Sequence, residues 1–182
     1  MALIDRAIAF AAAAHTDQRR KYDGLPYITH PIHVMTILWD HGVRDEGMLA
    51  AAVLHDVVED TPATIEDISA CFGCDVAELV DGLTDKFPAG TGGNRAERKA
   101  KERQRIAGTS MRCQAVKYAD LISNTSSIVD HDPDFARVYL KEKRAIVDSM
   151  GQDDWGLWAT CEEKLAWGEN ELVQYALFKS AT

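Results

Sequence analysis

No run of this sequence approaches the ~20 consecutive apolar residues that a membrane-spanning helix needs. Nor is there a convincing stretch of alternating apolar and polar residues, so sheet architectures find no support. Four cysteines are too few and too scattered for a disulfide scaffold. Cys71 and Cys74 form a lone C-x-x-C, with Cys113 and Cys161 far from it. A zinc ribbon needs a second close pair and a thioredoxin-like site needs a βαβ pattern, and neither is present. The cysteines read as reduced small hydrophobes in a cytoplasmic protein. Positive charge is also in deficit. The formal net charge of −9 argues against nonspecific binding of nucleic acid or acidic membrane. No internal repeat and no low-complexity linker divides the chain. Ala7–Ala14 behind Arg6 faintly resembles a signal peptide, but Asp5 and the short alanine-rich run make it the first helix of the fold.

What is present is helical periodicity along 182 residues, enough for one domain that buries roughly 70% of its unfolded surface. The spacing predicts helices over about 3–17, 31–41 and 45–60, the last opened by Asp45 or a neighbour and ended by Thr61-Pro62. A short helix follows, opened by a Thr64/Asp67 capping box and running toward Phe72-Gly73. Further helices are expected over about 76–86, 94–107 and from Met111 onward. Asp132 and Pro133 open another that ends near Gly151. Phe87–Gly93 is the one clear flexible loop. The tail, 153–178, reads as one or two helices anchored by Trp155, Trp158, Leu165, Trp167, Leu172 and Leu177. The expectation is an all-α bundle of one domain, with a core over about 1–150 and a C-terminal helical extension over 151–182.

Cations gather in two places. Arg95, Arg98, Lys99, Lys101, Arg103 and Arg105 crowd one helix, and Arg19, Arg20 and Lys21 form a knot upstream. The longer run reads as a solvated helix face, or as cations used on a small anionic ligand.

The third helix is the informative one. Met48–Leu54 should be buried on nearly every side, yet it runs directly into His55, Asp56, Glu59 and Asp60. On a helix His55 shares a face with Glu59, and Asp56 with Asp60, while adjacent His55 and Asp56 diverge by about 100° but can still converge on one ion between helices. Unpaired carboxylates beside an apolar core are costly, and a divalent cation offsets that cost. His30, upstream of Pro31, and Asp120, in another apolar helix, complete a set of two imidazoles and two carboxylates. Such a mixed N/O site suits manganese, iron or zinc and leaves positions open for water.

The stretches Gln18–Pro31 and Ala52–Thr61, with Thr64–Ile68 and Val80–Thr84, resemble the HD hydrolase domain of the RelA/SpoT family. The likeness covers about residues 15–124, roughly 60% of the chain, and its H-D-x-x-E-D with upstream His-Pro and downstream Ala-Asp is specific. That family is helical and removes the 3′-pyrophosphate of ppGpp and pppGpp, the alarmones of the stringent response, typically with one Mn²⁺. The resemblance implies His30, His55, Asp56 and Asp120 as metal ligands and Glu59 and Asp60 as the acidic pair that positions and deprotonates water. It also implies Arg20 and Lys21 as contacts to base and phosphates, and Asn124 as a contact to the sugar. The alarmone synthetase domain of the longer members has no room here, so the chain resembles the hydrolase-only branch.

The chain departs from the family at Leu121 and Ser123, where a cation and a ring are usual, which puts the substrate in question. Lys117 is the better phosphate candidate beside Asp120. His33 reads as a partly exposed helix histidine or as a group behind the metal ligands. His41 complements a helix dipole, His15 faces either the pocket or the core, and His131 is on the surface. Tyr22 and Tyr27 stack on a base or simply pack. The leading expectation is phosphoester hydrolysis of a small nucleotide. The alternatives are another nucleotidase or a phosphatase for the 2′-phosphate of NADPH, and, in a different class, a non-catalytic nucleotide-sensing module. The intact Glu59-Asp60 pair speaks against the sensor. Oligomeric state is not legible.

Overall fold

The computed structural model describes residues 2–181 as ten helices: α1 (Leu3–Ala14), α2 (Thr29–Asp40), α3 (Glu46–Leu54), α4 (Val57–Asp60), α5 (Ile65–Phe72), α6 (Cys74–Leu83), α7 (Arg95–Ala107), α8 (Met111–His131), α9 (Pro133–Val147) and α10 (Leu157–Ala181). Among the described residues the sole strand-like pairing is one antiparallel bridge between Arg19 and Pro26, and no helix is long and apolar enough to cross a membrane.

Side-chain caps set many of the boundaries. The Asp45 carboxylate accepts from Met48 N at the start of α3, and Thr64 with Asp67 and Asn94 with Glu97 make reciprocal capping boxes on α5 and α7. Asp132 caps α9, with Pro133 in its first turn. Each cap contributes about 1 kcal/mol.

At the centre lies α3, with Met48–Leu54 buried without exception and α1, α2, α6 and α8 packed around it. A helix with no polar face needs such a jacket. One expectation fails here. The helix expected over 45–60 is interrupted after Leu54, and His55 and Asp56 form the joint between α3 and α4. On an unbroken helix these adjacent side chains would diverge by about 100°. Both joint residues keep right-handed helical backbone angles, and His55 Nε2 comes within 3.1 Å of Asp56 Oδ2.

The basic helix α7 is neither a plain solvated face nor a free cationic strip. Arg95 makes a two-point ion pair with Glu142 of α9, at 2.7 and 2.9 Å. Lys99 pairs with Asp85 at 2.9 Å. Arg105 donates to the carbonyls of Gly82 and Thr84, at 2.9 and 3.0 Å, and pairs with the buried Glu102. Half the cations of this run therefore fasten α7 to its neighbours.

The tail is one helix, α10, laid on α8 and α9. Its buried stripe is Leu157, Cys161, Leu165, Gly168 and Leu172, whereas Leu177 is more than half exposed. The tryptophans flank this stripe and do not form it. α10 approaches closely at Gly168: a Cβ there would lie 3.0 Å from Val129 Cγ2 and 3.2 Å from a Leu140 methyl, tighter than ordinary contact.

Candidate metal centre

Three segments meet beside the inner end of α3. α2 supplies His30, the α3–α4 joint supplies His55 and Asp56, and α8 supplies Asp120. Ligand atoms of His30, His55 and Asp56 lie within 4.8 Å of one another. Asp120 Oδ1 is 3.3 Å from His30 Nε2 and 3.7 Å from His55 Nε2. His55 Nε2 is 3.1 Å from Asp56 Oδ2. Both histidines and Asp120 are buried, and Asp56 is partly so.

The orientation of His55 is fixed from behind. Its Nδ1 lies 2.8 Å from the carbonyl oxygen of Ala52, which can only accept, so Nδ1 carries the hydrogen. In the neutral ring the Nε2 lone pair then faces the carboxylates. That atom is buried and has no hydrogen-bond partner. A buried, aimed and unpartnered imidazole nitrogen between two carboxylates is a donor set that could hold a divalent ion. Electrostatics agree. Burial opposes the imidazolium of His55, but the Asp56 and Asp120 carboxylates outweigh it and hold its pKa well above the ordinary 6.5. Burial also opposes the Asp56 and Asp120 carboxylates. Chiefly His55 for the first and Lys117 for the second overcome it and keep both below the ordinary 3.8. The cluster thus attracts positive charge at its centre, whether a proton or a metal ion.

A ring of partners holds these groups. Tyr27 donates to Asp56 Oδ2 at 2.6 Å. Lys117 Nζ donates to Asp120 Oδ2 at 2.8 Å, and Asn124 Nδ2 to Asp120 Oδ1 at 2.6 Å. Spacings of three and four on α8 put Lys117, Asp120, Ser123 and Asn124 on one face. Lys117 and Asn124 therefore reach the Asp120 carboxylate and do not stand free.

Glu59 and Asp60 sit at the exposed rim, one turn beyond the joint. Partial desolvation raises the pKa of each carboxyl, and the nearby Asp56 carboxylate adds to the rise. Glu59 Oε2 accepts from the backbone N–H of Asp85 at 3.1 Å, and Gln18 donates to the Asp60 carbonyl at 2.7 Å.

Two cavities flank the cluster. On the Glu59 side a polar cavity of about 110 Å³ is lined by Glu59, Asp85, Lys99, Lys117 and Lys143 among others. Burial, then Lys117, pushes the Lys143 amine down to about 8. On the other side a groove of about 380 Å³ is lined by Arg20, Lys21, Tyr22, Tyr27, Asn124 and Phe135 among others. There Lys21 pairs with Asp132 at 3.0 Å and lies over the Tyr22 ring. A larger groove, about 630 Å³, runs between α9 and α10 away from the histidines.

Tyr27, Ser123 and Lys143 form part of these surroundings although their sequence contexts gave no firm sign of it. Tyr27 stands only three residues before His30, a usable hint, while Lys143 comes to the cavity solely through the packing of α9. His15 is buried against the Tyr27 ring, its Nδ1 2.5 Å from Gln18 Oε1. His41 bonds the Ile37 carbonyl at the end of α2, as a helix-terminal histidine should, and His131 is exposed, stacked on Tyr22.

A family profile described as "HD domain" matches residues 7–148. Over 128 residues the chain is 40% identical to guanosine-3′,5′-bis(diphosphate) 3′-pyrophosphohydrolase MESH1 of Drosophila melanogaster, covering 69% of each protein. It is 38% identical over 159 residues to a probable guanosine-3′,5′-bis(diphosphate) 3′-pyrophosphohydrolase of Synechocystis. That match covers 86% of this chain and spans only 20% of the longer relative. A solved structure, described as a metazoan ortholog of SpoT that hydrolyzes ppGpp and plays a role in starvation responses, superposes with a TM-score of 0.81 at 33% identity. It covers 92% of this chain and 96% of that one.

Proposed function

Since the chain belongs to the HD-domain family, we propose that it is a metal-dependent phosphohydrolase acting on guanosine 3′,5′-bis(diphosphate). Water cleaves the 3′ ester bond, giving GDP and intact pyrophosphate. The observation that carries this reading is the buried, unpartnered Nε2 of His55 among His30, Asp56 and Asp120. Support for the substrate comes from the named activity of the MESH1 and Synechocystis relatives.

In this reading His30, His55, Asp56 and Asp120 hold one divalent ion, with Mn²⁺ as the proposed occupant. When bound, such an ion supplies Lewis-acid polarisation of a phosphoryl oxygen and makes water easier to deprotonate. The remaining work belongs to the chain. Glu59 or Asp60 accepts the proton of the attacking water, and a raised carboxyl pKa makes each a better base. Lys117 and Asn124 keep the Asp120 carboxylate oriented, and Tyr27 does the same for Asp56. The aromatic and basic groove with Arg20 and Lys21 takes the nucleoside, and Asn124 lies where groove and Asp120 meet. Lys117, on the wall of the polar cavity, and its neighbour Lys99 offer positive charge to the phosphates. The family match ends at residue 148. We therefore read residues 151–182 as an extension of one hydrolase domain, in which α10 buttresses α8.

The test is a substrate panel with Mn²⁺, other divalent ions or none, followed by chromatography of products. Equimolar GDP and pyrophosphate from ppGpp is the expected result. Orthophosphate as sole product, or faster turnover of NADPH than of any alarmone, overturns the substrate. Tight nucleotide binding without turnover of anything overturns the enzyme in favour of a sensor.

A further inference from the structure

Ser123, which stands where the resembling family has a ring, is not idle. Its hydroxyl lies 3.0 Å from Nδ1 of His30 and 2.9 Å from Nδ1 of His33, so one buried oxygen joins two imidazoles of α2. Two residues on, toward the opposite side of α8, Thr125 donates its hydroxyl to the Leu121 carbonyl of its own helix, at 2.7 Å. Ser123 makes its bonds across the α2–α8 interface instead.

The hydrogens on this three-membered chain can be assigned by elimination, on the reading above that His30 is a metal ligand. A histidine that offers its Nε2 lone pair to a metal carries its hydrogen on Nδ1. His30 Nδ1–H therefore donates to Ser123 Oγ. The hydroxyl has one hydrogen left to place. If His33 also donated from Nδ1, that buried hydrogen would face no acceptor among the contacts Ser123 makes, which is costly. With His33 neutral and its hydrogen on Nε2, both contacts of the Ser123 hydroxyl are satisfied. Burial, then the His30 ring, lowers the His33 pKa and so keeps its Nδ1 lone pair available near neutral pH.

We infer that His33 and Ser123 are positioning residues for the metal centre: a directed chain, His30 Nδ1–H to Ser123 Oγ–H to His33 Nδ1, fixes the His30 tautomer and strengthens its Nε2 as a ligand. A hydroxyl that donates onward is a better acceptor, so His33 acts on His30 only through Ser123. This chain depends on a small side chain at position 123 and on a histidine one turn after His30.

The measurement uses the intact metal-free protein and Zn²⁺ alone. Nitrogen-15 NMR of the zinc-loaded wild type should show His30 protonated on Nδ1 and His33 protonated on Nε2. Zinc affinity, measured by competition with a chelating dye, should fall about 10- to 100-fold in Ser123→Ala. It should fall about three- to tenfold in His33→Ala, the loss of one hydrogen bond. His33→Asn, whose side-chain oxygen overlays the Nδ1 position, should restore most of that loss. In the Ser123→Ala background His33→Ala should change nothing further, which a merely structural role for His33 would not reproduce. Finding the His33 hydrogen on Nδ1, or an equal loss from His33→Ala in both backgrounds, overturns the chain while leaving the metal site standing. A wild type that takes no zinc or manganese overturns the metal site and this inference with it. The NMR result on the wild type decides the direction of the chain even where a variant fails to fold.

Discussion

Asp120 is the carboxylate whose removal separates folding from metal binding. Its side chain is 8% exposed and meets Lys117 at 2.8 Å, Asn124 at 2.6 Å, and the two histidines at 3.3 and 3.7 Å. Asp120→Ala therefore does two things at once. It removes one proposed ligand, and it leaves the Lys117 ammonium without its anion. Breaking a buried pair from one side costs about 3–5 kcal/mol. The Lys117 side chain keeps 21% of its exposure, which places this case near about 3 kcal/mol. For a chain of this size about 1 kcal/mol corresponds to roughly 2–4 °C, so the metal-free variant should melt about 6–12 °C below wild type. It should still fold, because domains commonly hold about 5–15 kcal/mol. Manganese at a hundred times its dissociation constant should stabilise wild type by about 2.7 kcal/mol, a rise of roughly 5–10 °C, and should leave Asp120→Ala unmoved. The control is Lys117→Met/Asp120→Ala. With no stranded ammonium it should regain most of the lost stability without regaining the response to metal. Calorimetry of the three proteins with and without Mn²⁺ reads all of this. A wild-type manganese shift in Asp120→Ala refutes the ligand assignment. A double variant no more stable than Asp120→Ala refutes the electrostatic reasoning.

Glu59→Gln and Asp60→Asn keep shape while removing a basic oxygen, so at least one should bind metal and nucleotide yet lose about 10²-fold or more in rate; full activity in both removes the pair from the chemistry. Metal uptake at neutral pH should release about one proton, because the raised His55 pKa means the metal-free ring is largely protonated there. Titration calorimetry in buffers of different ionisation enthalpy counts it, and a count of zero contradicts the charge state. The sign for stability follows. The His55 contribution is complete below its unfolded value of 6.5 and is lost as pH rises through the higher folded value. The Asp56 and Asp120 contributions are present above 3.8 and lost as pH falls through their depressed folded values. Metal-free protein should therefore be most stable between about pH 4 and 6.5, and a melting maximum above pH 8 would contradict this balance. Arg105→Met should cost about 3 kcal/mol by stranding the buried Glu102 and two carbonyls, with little change in metal affinity; an equal loss of both would mean α7 does more than brace the site.

Much of this protein is legible without coordinates. The buried run Met48–Leu54 marks the central helix because no other placement hides seven apolar neighbours, and Asp45, Thr64, Asn94 and Asp132 mark helix starts because capping is a local bond. The metal candidates His30, His55, Asp56 and Asp120 stand out because charged and imidazole groups inside apolar segments need compensation. What the tertiary structure decided lies in the relations between helices. It interrupted the expected helix at His55-Asp56 and brought His30 of α2 and Asp120 of α8 against that joint. It set the cations of α7 against Asp85, Glu142 and the end of α6. It also set Ser123 between His30 and His33. These outcomes depend on distances across packed interfaces, between residues as many as 93 positions apart, where no local periodicity carries information. A cap is settled within four residues of its own helix, but a hydrogen bond from α2 to α8 exists only once the core around α3 has brought the two helices together.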